Sequence, residues 1–279
     1  MYNVKTFNLK SRDAVVCRSS TGWLMKWNIG NYWIKAPGYV VSYTWDSVAE
    51  VLASEIFIDL GIKNCVEYRL CIINLDNKVK LIGCISKDYK TAGLNEVTLK
   101  KLADNRIISS NYYGYTGYRQ LIKEIKTKFD LDITRYLEDT IIIDSIILNT
   151  DRNLWNMSIM LDKELNGHIS PIYDFGNSLG LTGGIQGNFY EEAMYSTGIQ
   201  ARPFSMEFEE QLCYIRNNRN YSGELIRTHN MLDYLYNNFT VENNTYNVTN
   251  PIPLDVLNYA TQVINKRYNT VIEGKIWKN

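Results

Sequence analysis

The chain has 279 residues, of which 45% are hydrophobic, so it can form one large domain or two lobes around a sizeable core. Lys and Arg together number 30, and Asp and Glu also number 30, so the charge balance does not indicate nucleic acid or an anionic membrane as a partner. The five cysteines include no Cys-x-x-Cys pair, which argues against zinc and disulfide frameworks and favours reduced thiols in the cytoplasm. Neither a signal peptide nor a membrane span is predicted.

Residues 1–86 are predicted to form a β-rich lobe with one helix, because apolar residues alternate and β-branched side chains are frequent there. Residues 18–30 are polar and contain glycine, which favours a turn region. Strands are predicted over 14–17, over 31–36 and, in two runs joined by a turn at Asp76-Asn77, over 64–86.

One amphipathic helix is predicted over residues 46–62, with the sequence DSVAEVLASEIFIDLGI. Ser47 and Glu50 have the Ser-x-x-Glu spacing of a capping box, and Gly61 is a natural helix end.

Residues 87–279 are predicted to form a mainly helical lobe, joined to the first by a short link near residues 84–88. Helical spacing is found at 94–105, 116–130, 133–150, 223–239 and 253–275. The predicted fold class is therefore α+β with two lobes, a layout found in two-lobed nucleotide-binding enzymes and in many other α+β proteins.

The strongest chemical signal is the stretch NTDRNLWN, which is followed closely by the tripeptide Asp174-Phe175-Gly176. Asp151 and Asn156 have the Asp-x-x-x-x-Asn spacing of kinase catalytic loops. Phosphoryl transfer needs a carboxylate beside the attacking hydroxyl and oxygen ligands for Mg²⁺ on the phosphates. The pattern predicts that Asp151 orients the hydroxyl while Asn156 and Asp174 bind the metal.

These segments resemble the HipA-like serine/threonine kinases, a family of bacterial toxin kinases that includes shorter members without the N-terminal subdomain of HipA. The family has a His two residues after the catalytic Asp, where this chain has Asn153, a residue expected to support the loop rather than to react. The matching residues are Asn149, Thr150, Asp151, Asn156, Pro171, Tyr173 and Asp174.

The resemblance extends upstream and implies a nucleotide site. The stretch SSTGWLMK falls at the family's phosphate loop, so hydroxyl and backbone groups there are expected to line the phosphates, and Lys35 in WIKAPG is expected to bind them. Lys26 is a competitor for the role of Lys35, and Glu55 is the second candidate after Glu50 for pairing with that lysine. The nucleotide-binding residues implied are Ser19, Ser20, Thr21, Gly22, Lys26, Lys35 and Glu50, with Ile85 and Lys87 at the link.

The function implied is an ATP- and Mg²⁺-dependent serine/threonine protein kinase of bacterial toxin type, with autophosphorylation at Ser19 and a small antitoxin as partner. Cytoplasmic localisation is expected, with export as an effector left open. The alternatives are a small-molecule or lipid kinase and a pseudokinase that acts as a binding module. Arg152, next to the predicted catalytic Asp, is expected to form an exposed salt bridge, with a contact to phosphate or a phosphorylated residue as the alternative.

Overall fold

The computed structural model describes residues 2–15, 24–37, 44–90, 92–181, 200–216, 221 and 223–273. Its first sheet has five strands in the order β1-β4-β5-β3-β2. β1 is parallel to β4, and the other neighbouring strands are antiparallel. The strands are β1 (Lys5–Leu9), β2 (Leu24–Ile29), β3 (Tyr32–Pro37), β4 (Tyr68–Leu75) and β5 (Val79–Lys87).

The β4–β5 hairpin confirms the predicted pair of strands. Asp76 and Asn77 have φ values of 53° and 56°, a left-handed turn that Asp and Asn tolerate better than most residues. The prediction of a turn region at residues 18–30 is wrong for β2, which forms because it pairs along its whole length with β3. β1 was not predicted from sequence, and the described part of the strand expected at 14–17 is not a strand.

Helix α1 (Asp46–Asp59) packs against this sheet and is almost wholly buried, which explains why its polar residues have specific partners. The predicted capping box is wrong: Trp45 is the N-cap residue, and no side chain caps the helix there. The Ser47 hydroxyl instead donates to the Lys35 carbonyl at 3.3 Å. The helix ends just before Gly61, which has a φ of 69° and is the predicted stop.

A second, antiparallel sheet joins β6 (Asn95–Thr98), β7 (Ser158–Leu161) and β8 (Gly167–Ile169). The first four residues of the helix predicted over 94–105 are therefore mostly strand, because β6 pairs with the distant β7. No helix among the described residues is both long and apolar enough to cross a bilayer. The helices are α2 (Leu99–Asp104), α3 (Gly114–Phe129), α4 (Thr134–Ile147), α5 (Phe208–Leu212), α6 (Ile226–Phe239) and α7 (Leu254–Tyr268).

Both ends of α1 are bound by the C-terminal part of the chain. At its C-terminal end, the Asp59 carboxylate accepts hydrogen bonds from the amides of Arg227 and Thr228 at 3.0 and 2.9 Å, and so caps the start of α6. At its N-terminal end, the Trp45 indole donates to the Asn250 carbonyl at 3.2 Å. The helix is thus held against both lobes, which fixes the orientation of the side chains that it projects between them.

The close approach of α1 and the segment before α6 depends on Gly223. A Cβ atom at this position would lie 2.0 Å from the Asp59 carbonyl oxygen, a backbone atom that cannot move aside. We expect Gly223→Ala to lower the free energy of unfolding by more than about 2 kcal/mol through overpacking.

The matched control is Gly61→Ala, where nothing lies within 4 Å and only the positive φ opposes a side chain. This change should cost about 1 kcal/mol. Urea unfolding of both variants compares the two costs, and a smaller loss for Gly223→Ala than for Gly61→Ala would contradict the steric argument.

Candidate active site

A cleft of about 400 Å³ lies between the two sheets. The five-stranded sheet lines one side of it, and the loop between α4 and β7 lines the other. The cleft brings together residues that are far apart in sequence and that were predicted to act on one nucleotide: Lys26, Lys35, Asn156 and Asp174.

Strand alternation explains why Lys35 reaches the cleft. Along β3 the side chains of Trp33 and Lys35 line the cleft, whereas Ile34 and Ala36 pack in the apolar core on the opposite face. Only 8% of Lys35 is exposed, so its charge requires a partner in the protein.

That partner is Glu50 from α1, with which the Lys35 ammonium forms a buried ion pair. The ammonium also donates to the Tyr68 hydroxyl at 3.1 Å and lies 4.0 Å from an Asp174 carboxylate oxygen. Burial by itself lowers the pKa of Lys35, but the negative charge of Glu50, helped by Tyr68 and Asp174, outweighs it and raises the pKa well above its ordinary value. Lys35 is therefore a permanent cation in the cleft.

The second oxygen of Glu50 binds the Asp-Phe-Gly segment. The Phe175 amide donates to Glu50 Oε2 at 3.0 Å, and the Phe175 ring is buried 5.1 Å from the ring of Phe57 in α1. Asp174 has a φ of 64°, a left-handed conformation that a short polar side chain tolerates. Because Phe175 is anchored inward on α1, the preceding Asp174 lines the cleft.

The loop between α4 and β7, which carries the predicted catalytic residue Asp151, is held together by amide side chains. Asn156 Nδ2 donates to the backbone carbonyl and to Oδ2 of Asp151, at 2.8 and 3.2 Å. Asn153 Nδ2 donates to Asp151 Oδ1 at 2.9 Å, so Asn153, where the resembling kinases have a His, contacts the carboxylate that the sequence predicts to be catalytic. With its nitrogen directed at Asp151, Asn156 has its amide oxygen available to a metal ion.

Arg152 does not form the exposed salt bridge expected from the sequence; only 1% of it is exposed. Its guanidinium binds both carboxylate oxygens of Asp144 in α4, at 2.8 and 3.1 Å. It also donates to the backbone carbonyls of Asn156 and Tyr173, at 2.8 and 2.6 Å. The prediction of an exposed salt bridge is wrong because the burial of Arg152 depends on how α4, the loop and the segment before Asp174 pack together.

The oxygen ligands in the cleft suit a hard cation such as Mg²⁺. Asp174 offers a carboxylate and Asn156 an amide oxygen, which are ligand types that Mg²⁺ accepts. In the part of the chain that the structure describes, no group of three or more His, Cys, Asp or Glu residues is arranged to hold a metal. Such an ion would therefore take its remaining ligands from phosphates and water, as is usual for Mg²⁺ at nucleotide sites.

Some predicted residues do not join this group. The side chains of Ile85 and Lys87 line an adjoining cavity with Tyr32, because alternation along β5 turns only Ser86 between them toward the cleft. Glu55 binds Arg227 at 2.7 Å rather than Lys35, which leaves Glu50 as the partner of that lysine. The phosphate-loop residues Ser19, Ser20, Thr21 and Gly22 lie outside the described residues.

Other cleft residues were missed by sequence reasoning. Tyr89, just after β5, stacks on Tyr173 with ring centroids 5.7 Å apart and donates its hydroxyl to Glu96. Lys101 reaches the cleft from α2. No local motif marks these residues, because Glu96 and Lys101 reach the site only through the pairing of β6 with β7.

A scan of the sequence against protein-family models finds no match, and a search of curated proteins finds none either. Solved structures do match. The Helicobacter pylori proinflammatory kinase CtkA has a TM-score of 0.60 and 15% identity, over 91% of this chain and 90% of that chain. The chain has a kinase-like fold. Membership of the HipA-like family stays a prediction, since this likeness shows the fold alone.

Two more distant structures are also similar. Hydra Fam20, solved with sugar, has a TM-score of 0.41 and 13% identity, over 90% of this chain and 83% of that chain. HipA from Shewanella oneidensis MR-1, in a toxin–antitoxin complex with HipB and operator DNA, has a TM-score of 0.42 and 12% identity, over 89% of this chain and 61% of that chain. These likenesses are too weak to carry a structural argument.

The ion pair predicts a difference between two glutamates on the same helix. Glu50→Gln should lower phosphate transfer by about tenfold or more, because it removes the charge that orients Lys35. Glu55→Gln is the matched control and should change transfer much less, since Glu55 binds Arg227. Steady-state kinetics on both variants test this, and equal losses would contradict the assignment of Glu50.

Asp46, in the first turn of α1, predicts a pH dependence of stability. It is buried beside Gly176, and its Oδ1 accepts no hydrogen bond from any described residue. Burial, followed by the charges of Glu50 and Asp174, raises its pKa from 3.8 to about 7. Between these values the folded protein binds more protons than the unfolded chain, so this group lowers stability as pH rises from about 4 to about 7.

Asp46→Asn should therefore raise the melting temperature relative to the wild type at about pH 8 and change it little at about pH 4. Thermal unfolding across this range checks the sign. A difference in melting temperature that does not vary with pH would show that Asp46 does not titrate as described.

Proposed function

We propose that this protein is an ATP- and Mg²⁺-dependent kinase that phosphorylates Ser or Thr hydroxyls of a protein substrate. The observation that carries the proposal is the cleft in which Lys35, held by Glu50, lies 4.0 Å from Asp174. Asn156 lines the same cleft, and its amide contacts the neighbouring Asp151. Phosphoryl transfer requires a fixed cation and metal-ligand oxygens in one cleft, with a carboxylate next to them, and Asp151 is hydrogen-bonded to the cleft residue Asn156.

Each side chain then has one role. Lys35 binds the α- and β-phosphates, and Glu50 keeps its ammonium in place. Asn156 and Asp174 hold Mg²⁺, which would neutralise charge on the phosphates when bound. Asp151 orients the acceptor hydroxyl and accepts its proton, with its carboxylate fixed by Asn153 and Asn156. The backbone of residues 85–88, in the link, is proposed to hydrogen-bond the adenine base of ATP.

The finer parts of the proposal rest on the resemblance to HipA-like kinases. They are the preference for Ser or Thr in a protein, a toxin-type role in the bacterial cytoplasm, and a small antitoxin as partner. We further propose autophosphorylation at Ser19, with Ser20 and Thr21 as substitutes. A phosphate there would add about −1.5 to −2 charges at pH 7 next to the nucleotide phosphates and so weaken nucleotide binding.

The test compares variants that remove one carboxylate each. Asp151→Asn should lower phosphate transfer by about 10²- to 10⁴-fold and leave Mg²⁺·ATP binding intact. Asp174→Asn should lose the Mg²⁺ dependence of ATP binding. The measurements are calorimetric binding of ATP with and without Mg²⁺, turnover on protein and small-molecule acceptors, and mass-spectrometric mapping of phosphate on the protein itself.

Asp130→Asn is the matched control, because the Asp130 carboxylate is exposed on the surface and pairs only with Lys126 among the described residues. Wild-type turnover in Asp151→Asn would refute the proposed catalysis. Binding of Mg²⁺·ATP without turnover on any acceptor would favour a pseudokinase. Phosphate transfer to small molecules alone would favour a small-molecule or lipid kinase.

A further inference from the structure

We infer that Arg152 is a positioning residue that sets the spacing of the two proposed metal ligands, Asn156 and Asp174. The inference rests on the proposed function and adds a residue to which the sequence assigned only a surface role. It follows from where the guanidinium places its donors.

The guanidinium joins three separate segments of the chain. Nε and Nη2 bind the two carboxylate oxygens of Asp144 at 2.8 and 3.1 Å, which fixes the plane of the group on α4. Nη1 then donates to the carbonyls of Asn156 and Tyr173 at 2.8 and 2.6 Å. Nη1 thus connects Asn156, one proposed metal ligand, with Tyr173, the residue directly before Asp174, the other proposed ligand.

Burial makes this arrangement rigid. Arg152 is 1% exposed and Asp144 is 3% exposed, so water cannot replace a lost hydrogen bond at either group. The carbon of the guanidinium also lies 5.3 Å from the centre of the Phe175 ring, which packs against α1. Burial excludes a role in binding phosphate, and four of the five N–H donors are directed at protein acceptors inside the fold.

Asp144 also anchors the catalytic carboxylate by a second route. The Asn149 side chain donates to Asp144 Oδ1 at 2.9 Å and accepts from the Asp151 amide at 3.1 Å. The C-terminal turn of α4 therefore holds both groups in place. It positions Asp151 through Asn149, and it positions the two proposed metal ligands through Arg152. A lysine could not replace Arg152, because a single ammonium cannot bind a carboxylate bidentately and also bridge two carbonyls.

The test is the variant Arg152→Lys, studied by calorimetric titration of ATP with increasing Mg²⁺ and, separately, with EDTA. We expect the apparent affinity for Mg²⁺ to fall by about 10- to 100-fold, as for the loss of other groups that orient metal ligands. ATP binding in EDTA should stay unchanged, because Lys35 and Glu50 do not contact Arg152.

Arg267→Lys is the matched control. Arg267 is another buried arginine, 4% exposed, and its Nε donates to the carbonyl of Ser145 in the next position of α4 at 2.8 Å. It should lower the melting temperature comparably and leave Mg²⁺ affinity unchanged. If Arg152→Lys does not fold, Asp144→Asn takes its place, since the amide keeps the shape and one acceptor oxygen but weakens the anchor of the guanidinium.

The outcomes separate this inference from the proposed function. A wild-type protein that binds no Mg²⁺·ATP would refute the proposed function itself. A wild-type protein that binds it, with a variant that loses melting temperature but keeps wild-type Mg²⁺ affinity, would overturn only the role of Arg152. A selective loss of Mg²⁺ affinity in Arg152→Lys, absent in Arg267→Lys, is the expected result.

Discussion

The rest of the site depends on one buried carboxylate, that of Glu50. One of its oxygens pairs with the Lys35 ammonium and the other accepts the Phe175 amide at 3.0 Å, so a single side chain joins β3, α1 and the Asp-Phe-Gly segment. Glu50 is fully buried, and a carboxylate in that position is tolerated only while both oxygens are satisfied. Loss of either partner would therefore disturb both lobes at once.

The position of Glu50 is in turn set from outside the first lobe. Helix α1 is bound at Asp59 by the start of α6 and at Trp45 by the Asn250 carbonyl. A helix tied at both ends cannot easily rotate away from Lys35. The opposite side of the cleft is organised in the same manner around Asp144 in α4. One buried carboxylate on a rigid helix therefore positions the residues on each side of the site.

The candidate residues of the cleft could be selected from the sequence because their signals are local. The spacing of Asp151 and Asn156 and the tripeptide that begins at Asp174 are short motifs whose chemistry does not depend on distant contacts. Lys35 lies on the cleft side of β3, opposite the face on which Ile34 and Ala36 pack in the core. The predicted capping box is wrong because α1 begins at Asp46, which places Ser47 inside the first turn, and Glu50 pairs with Lys35 instead.

By itself, the sequence determined the α+β class, the β4–β5 hairpin, helix α1 and the motifs of the cleft, because periodicity and spacing are properties of neighbouring residues. Only the tertiary structure decided which glutamate meets Lys35, since Glu50 and Glu55 lie on one helix and differ in what packs against them. The same holds for Arg152, whose exposure is a property of three segments in contact. Burial and long-range pairing arise from packing, and no local pattern encodes them.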